Sequence, residues 1–199
     1  MEHDENRIRI ASLAGQESLR KAIAEIFVDA YFPQLSFFTK DKDRLSNAFL
    51  NSFILDRFFG AFADGELVGI FALTDETGRC FKLVKGDFIA HIGFLKTNLA
   101  FGGLKNEFEH PLRLRSKGFN IEAVAVKSDR RGKGIATSMM RYAMEHNDYL
   151  ELDVADTNLP AIKIYEKLGF TVFKEVPVKY LKRIVGYGKR LYMSYAVST

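Results

Sequence analysis

Hydrophobic positions along the chain change period several times, and each change marks an element. Residues 7–10 alternate polar and apolar and predict a short first strand. Leu19, Ile23, Ile26 and Ala30 then recur at helical spacing until Pro33 interrupts them. A second helix is predicted over 42–58, where Leu45, Ala48, Phe49, Ser52 and Phe53 fall on one face at intervals of three and four. Residues 59–63 and 66–73 read as two strands. Asp64 and Gly65 join them, as a two-residue hairpin turn with positive φ angles requires.

Between 74 and 120 the pattern is looser. Phe88, Ile92, Leu95 and Leu99 lie on one helical face within 87–101, and Gly102, Gly103 and Pro111 break it, which predicts a helical insertion at about 82–118. From 121 the periodicity sharpens into a β-branched strand over 121–126, a glycine loop, and a helix over 135–147. A strand over 149–154 precedes Asn158 and Pro160, which open a helix bearing Ala161, Tyr165 and Leu168 and closed by Gly169. Residues 170–176 and 190–197 supply two last strands, joined by a basic loop containing Gly186 and Gly188. Repeats, linkers and low-complexity stretches are lacking, so 1–199 reads as a single domain.

Composition narrows the function classes. With 47% hydrophobic residues and 18 Phe among 199, the chain can bury a substantial core and is not of disordered type. No stretch approaches the about 18 uninterrupted apolar residues of a membrane span, and Glu2, Asp4 and Glu5 near the start argue against an export signal. Cys80 is the only cysteine and is expected to be a small buried hydrophobe. It forms no internal disulfide, and His3, His91, His110 and His146 are too scattered for metal ligation, so a cytoplasmic protein without a metal is expected. The net charge of +4 is small for a nucleic-acid binder, and aromatic residues do not interleave with the basic clusters. Those clusters are Lys127, Arg130, Arg131 and Lys133, and then Lys179, Lys182, Arg183, Lys189 and Arg190.

The first basic cluster carries the candidate chemistry. Arg131, Gly132, Lys133, Gly134, Ile135 and Ala136 lie between a buried-type strand and a helix. A helix start has about four unpartnered N–H groups, and glycines let that backbone approach an anion closely. The triphosphate loop motif is absent, and the dinucleotide fingerprint fails because its third glycine would fall on Thr137. Two readings stay open from spacing alone, a diphosphate cradle and a solvated glycine turn.

The stretch 121–170 resembles the core of the GNAT superfamily of acyl-coenzyme A-dependent N-acetyltransferases. Arg131, Gly134 and Ala136 match its glutamine/arginine, glycine, glycine/alanine signature. Asn158, Ala161, Tyr165, Lys167, Gly169 and Phe170 match its second signature. The resemblance implies an α/β (α+β) fold with a central mixed, mostly antiparallel twisted sheet of about seven strands, flanked by helices and splayed between strands four and five. It implies acetyl-coenzyme A as co-substrate, with its diphosphate on the amides of Gly132, Lys133, Gly134, Ile135, Ala136 and Thr137 beside Arg131. The pantetheine arm would lie along Val124, Ala125 and Val126, near Asn158 and Ala161.

The implied reaction is direct attack of a primary amine on the thioester in a ternary complex. The resemblance makes Tyr165 the donor to the leaving thiolate, although its spacing with Ala161 and Leu168 also suits a core aromatic. Glu122, expected on one strand face with Val124 and Val126, is the candidate base, since a carboxylate among β-branched neighbours needs a reason to be there. Pairing with a lysine or reaching solvent is its other reading. Asn158 also suits a helix cap. A small-molecule amine is the favoured acceptor, with a peptide or protein amine also compatible, and the chain is expected as monomer or homodimer without nucleic-acid or membrane partners. A non-catalytic acyl-coenzyme A-binding or regulatory domain is the alternative.

Overall fold

Asp64 and Gly65 reverse the chain with φ of 51° and 78°, and the strands on either side of that turn form the centre of the sheet's first half. The computed structural model describes residues 8–178 and 186–197. Arg7 of the expected first strand, His3, and Lys179, Lys182 and Arg183 of the expected basic loop lie outside the described residues. The strands are β1 (Arg9–Ser12), β2 (Phe58–Ala63), β3 (Glu66–Thr74), β4 (Phe119–Val126), β5 (Tyr149–Ala155), β6 (Thr171–Pro177) and β7 (Lys189–Ala196). They lie in the order β1-β2-β3-β4-β5-β7-β6, with every neighbour antiparallel except the parallel pair β4 and β5.

Among the described residues six α-helices flank the sheet: α1 (Arg20–Leu35), α2 (Lys42–Phe49), α3 (Lys85–Ile92), α4 (Phe94–Glu109), α5 (Ile135–Glu145) and α6 (Leu159–Lys167). On one face, α1, α2 and α3 enclose a phenylalanine-rich core around Phe27, whose ring lies 5.2 Å from Phe49 and 5.1 Å from Phe81. Each fully buried phenylalanine there contributes about 1.5–3 kcal/mol of transfer free energy. On the other face, α5 and α6 pack Ile135, Met139, Met140 and Tyr165 against Val68, Ile121, Leu152 and Met193.

Three expectations are corrected. α1 does not stop at Pro33 but continues to Leu35. A proline there removes one donor only, and the Ser36 N–H still reaches the Phe32 carbonyl at 2.7 Å. α2 ends at Phe49 instead of running to 58, because residues 52–54 are drawn into extended pairing: Lys82 N–H donates to the Ser52 carbonyl at 2.8 Å and Ile54 N–H to Cys80 at 2.9 Å. Phe53 is buried as its spacing implies, but by a different backbone. The single helical face over 87–101 is two helices broken at Gly93, φ 105°. That break turns Phe88 and Ile92 inward while Leu95 and Leu99 are 82% and 83% exposed.

Candidate active site

β4 loses regular pairing at Ala123. Ile70 and Ala72 on β3 face Ala125 and Glu122, so two steps along β3 match three along β4. The extra residue makes a bulge, and Ala123 adopts φ 53°, a left-handed conformation that non-glycine residues rarely take. On its other edge β4 stays in register with β5 only from Phe119↔Leu150 to Ile121↔Leu152. Beyond that rung the strands part. Ala123 and Val124 then have no register partner on either neighbour among the described residues. The Tyr31 hydroxyl on α1 donates to the Val124 carbonyl at 3.5 Å.

The bulge corrects the expected facing of Glu122. Ile121, Val124 and Val126 pack toward α5 and α6, whereas Ala123 and Ala125 belong to the core under α1. Glu122 turns to that second side, where four donors meet its carboxylate. Oε1 accepts from Arg79 Nε at 2.7 Å, Thr74 Oγ1 at 2.8 Å and Asn120 Nδ2 at 3.3 Å, and Oε2 accepts from Cys80 Sγ at 3.1 Å. The Arg79 and Glu122 side chains are 15% and 8% exposed, so this is a buried ion pair, with three donors on Oε1 and only Cys80 on Oε2 among the described residues. Burial pushes the Cys80 thiol well up, and the neighbouring Glu122 charge adds to it, so the sulfur keeps its proton as a donor.

The loop between β4 and α5 keeps its backbone donors available. Gly132 and Gly134 adopt φ of 77° and 79°, and no atom lies within 4 Å of where a Cβ would project from either. Gly134 is the helix cap and offers no side chain to the first turn. The N–H groups of residues 132–137 have no acceptor among the described residues, and the first closing bond runs from Ser138 N–H to the Gly134 carbonyl at 2.9 Å. Ile135 is buried against β3, Ala136 packs partly on the same core, and Thr137 lies on the first turn. Such an N-terminus of an eleven-residue helix suits a diphosphate.

The loop's cations divide into held and unpaired ones. Arg131 donates from Nε to the Val126 carbonyl at 3.1 Å and from Nη2 to Asp29 Oδ2 at 3.0 Å. Lys127 and Arg130 converge on Glu66 of the hairpin. Lys133 is exposed and has no ion-pair partner among the described residues. Asp29 also pairs with Lys42, whose hydrogen bond is the main reason its carboxyl is held below the usual range; desolvation opposes this and Arg131 adds to it.

Tyr165 lies on α6 on the far side of the parting strands. Its residue is 6% exposed, and the helix ends directly after it: Phe170 N–H donates to the Tyr165 carbonyl at 3.0 Å and Gly169 N–H to Glu166 at 3.0 Å, with Gly169 at φ 91°. The Tyr165 hydroxyl has no hydrogen-bond partner among the described residues. Burial raises its pKa, and the Asp153 charge adds to that, which keeps the phenol protonated. Asn158 is exposed and caps α6, accepting from Ala161 N–H at 3.4 Å, while Ala161 packs partly on the core.

Tyr31, Asp29 and Arg79 belong to this site without any mark in the sequence. The first two sit on a helix whose spacing signals burial alone, and Arg79 falls in the irregular stretch. Their roles come from partners remote in the chain. Among the described residues no group of three or more His, Cys, Asp or Glu could hold a metal, and no helix is long and apolar enough to cross a membrane.

Known proteins share this fold. The sequence model of the acetyltransferase (GNAT) family matches residues 20–170. An N-alpha-acetyltransferase from Saccharolobus solfataricus is 33% identical over 108 residues, 51% of this chain and 60% of that protein, so the match spans less than two thirds of the relative's length. A crystal structure of an N-acetyltransferase from Staphylococcus aureus superposes with a TM-score of 0.60 at 16% identity, over 94% of this chain and 100% of the other. A Bacillus subtilis acetyltransferase in complex with CoA superposes with a TM-score of 0.53 at 15% identity, over 96% and 99%. At such identities the structural likeness is one of fold.

Proposed function

The chain belongs to the GNAT acetyltransferase family, and we propose that it moves an acetyl group from acetyl-coenzyme A to a primary amine by direct attack within a ternary complex. The observation that carries this reading is the row of N–H groups from Gly132 to Thr137, unpaired at the start of α5 beside the β4–β5 gap. The open space at Gly132 and Gly134 and the unpaired cation of Lys133 fit a diphosphate there. Bound coenzyme supplies the activated acetyl thioester, and the rest of the chemistry falls to the chain.

In this reading the amides of 132–137 and Lys133 hold the diphosphate, and Arg131, pinned to Asp29 and Val126, fixes the loop's height. Val124, Ala125 and Val126 line the pantetheine arm with Ala161, and Asn158 shapes the entrance to α6. Backbone at the Ala123–Val124 bulge faces the acyl carbonyl, where donors aimed at developing negative charge contribute several kcal/mol. Tyr165 gives its proton to the departing thiolate. Glu122, fixed by Arg79, acts as the site's base through a water molecule. An alkylamine has a pKa of about 10, so presenting it unprotonated at pH 7 requires about 4 kcal/mol from such groups.

A peptide α-amine is the first acceptor to test, because the Saccharolobus solfataricus relative is an N-alpha-acetyltransferase; a small-molecule amine is the second. The experiment is thiol release from acetyl-coenzyme A over a panel of peptides and small amines, with calorimetry of coenzyme A alone. The expected Kd is about 1–100 μM, roughly 5–8 kcal/mol of binding free energy. Coenzyme binding without turnover on any amine would favour a regulatory acyl-coenzyme A-binding domain, and absence of binding would overturn both.

A further inference from the structure

The end of α5 away from the phosphate-binding loop stands over a second concave surface. The loop opens the helix at Ile135, and eleven residues span about 16 Å, so the C-terminal end at Glu145 lies well apart from the diphosphate cradle. There the last turn of α5 and the two residues after it face β2, β3 and β4 across a cleft of about 620 Å³. Ile54, Phe59, Leu73, Phe119 and Tyr142 line its apolar part, and the fold covers each of them only partly. The Phe59 ring stacks on Phe71 at 5.3 Å and lies 5.6 Å from Tyr142, which is 4.3 Å from the His146 ring. An aromatic surface is thus left open to a flat apolar group.

The polar groups at its rim are biased toward acceptors. Arg57 is paired, with Nη1 donating to Asp75 Oδ1 at 3.2 Å and Nη2 to Thr77 Oγ1 at 3.0 Å. Asn147 donates from Nδ2 to the Ala143 carbonyl at 2.8 Å. His146 Nδ1 lies 2.7 Å from the Tyr142 carbonyl, which only accepts, so the proton sits on Nδ1 and Nε2 is the acceptor of the neutral ring. Asp56 is exposed and has neither a hydrogen bond nor an ion pair among the described residues. Three acceptors therefore stay open, the Asp56 carboxylate, His146 Nε2 and Asn147 Oδ1, and the lining carries one negative charge without a counter-charge. Small-ligand sites join an apolar concavity to a few polar groups of this kind.

We propose that this cleft is a second ligand site, for a primary arylalkylammonium compound whose ring lies on the Phe59 and Phe119 side chains and whose ammonium group meets the acceptors of the rim, Asp56 foremost. The ring gains by leaving water for an apolar floor, and an ammonium group brings three N–H donors and the missing positive charge. None of the lining residues belongs to the phosphate-binding loop, to the parted stretch of β4 or to α6, so the site stands independently of the transfer reaction.

The test is calorimetric titration of the full chain with 2-phenylethylamine, with and without excess coenzyme A. The expected Kd is about 0.1–1 mM, the range of a small ligand of this size, and coenzyme A should leave it unchanged. 2-Phenylethanol keeps the ring without the charge, n-butylamine keeps the charge without the ring, and each should bind at least about tenfold more weakly. Asp56→Asn should weaken 2-phenylethylamine binding by about 5–10-fold at low salt with Tm unchanged, and the difference should vanish near about 1 M salt. His146→Ala should also weaken it. Absence of binding up to about 10 mM would overturn the proposal, and so would equal affinity for the alcohol. Binding that coenzyme A alters and Asp56→Asn does not would place the amine at the transfer site instead. A concentration-dependent dimer that Asp56→Asn dissolves, read by sedimentation, would give the face to a second copy of the chain and likewise overturn the proposal.

Discussion

Arg131 reaches from the phosphate-binding loop to α1, its Nη2 3.0 Å from Asp29 Oδ2 while its Nε holds the Val126 carbonyl at 3.1 Å. The signature arginine is thus a strut between the first helix and the end of β4, and Lys133 is the loop cation without an ion-pair partner among the described residues. Loop height and helix position become one variable.

Replacing Asp29 by Asn should cost about 0.5–1.5 kcal/mol at pH 7, the range of a partly exposed charge-assisted pair. Its carboxyl is held below the usual range, chiefly by Lys42, so its contribution is complete above the unfolded pKa of about 3.9 and disappears as pH falls through the lower folded value. Urea denaturation should show the wild type and Asp29→Asn converging below about pH 4. A gap that persists or widens in acid would contradict the assignment.

Lys133→Glu should weaken coenzyme A binding by about tenfold at low salt, and the difference should shrink above about 0.5 M as screening shortens to a few ångströms. Titration calorimetry at two salt concentrations measures it. Salt-independent loss would mean the lysine acts by shape and not by charge.

Tyr165→Phe should lower kcat by about 100-fold or more, in the range of general acid catalysis, with coenzyme A affinity changed less than about twofold. Parallel losses in both, or none in either, would remove the phenol as donor.

Arg79→Ala should destabilise by about 3–5 kcal/mol, because it leaves the Glu122 charge buried without a counter-ion. Adding Glu122→Leu should restore much of that stability without restoring turnover. Chemical denaturation of the single and double variants decides it, and a double variant no more stable than the single one would exclude the uncompensated charge as cause.

Gly118→Ala should lower stability by about 1–3 kcal/mol, or about 2–4 °C in Tm per kcal/mol, since its Cβ would lie 2.2 Å from the Tyr149 carbonyl oxygen. A thermal melt reads this directly, and an unchanged Tm would mean the β4–β5 junction yields without cost.

The fold was legible wherever one physical signal decided one element. The Asp64–Gly65 turn, the α5 amphipathic pattern and the Asn158, Pro160 and Gly169 punctuation of α6 each carry a local backbone requirement. Legibility failed where two backbones serve one hydrophobic surface. Phe49, Ser52 and Phe53 keep helical spacing yet are buried partly by a helix and partly by pairing with 80–82. Gly93 rotates α4 so that Leu95 and Leu99 leave the face that Phe88 and Ile92 occupy. In the site, the loop residues and Tyr165 stand in contiguous signatures. Glu122 could be named but not oriented, because a single extra residue at 123–124 inverts the alternation that follows it. Arg79 acquires meaning only from neighbours far along the chain.

Only the rungs from Phe119 to Ile121 join β4 to β5, and so stitch β1 through β4 to β5, β7 and β6. The sheet is in effect two panels on a short seam, with their free margins facing each other above it. Anything laid lengthwise between those margins becomes a cross-brace, and a brace that fits only the folded chain raises its melting point by mass action. Resistance to heat then gauges occupancy, and deuterium uptake should slow along both margins together.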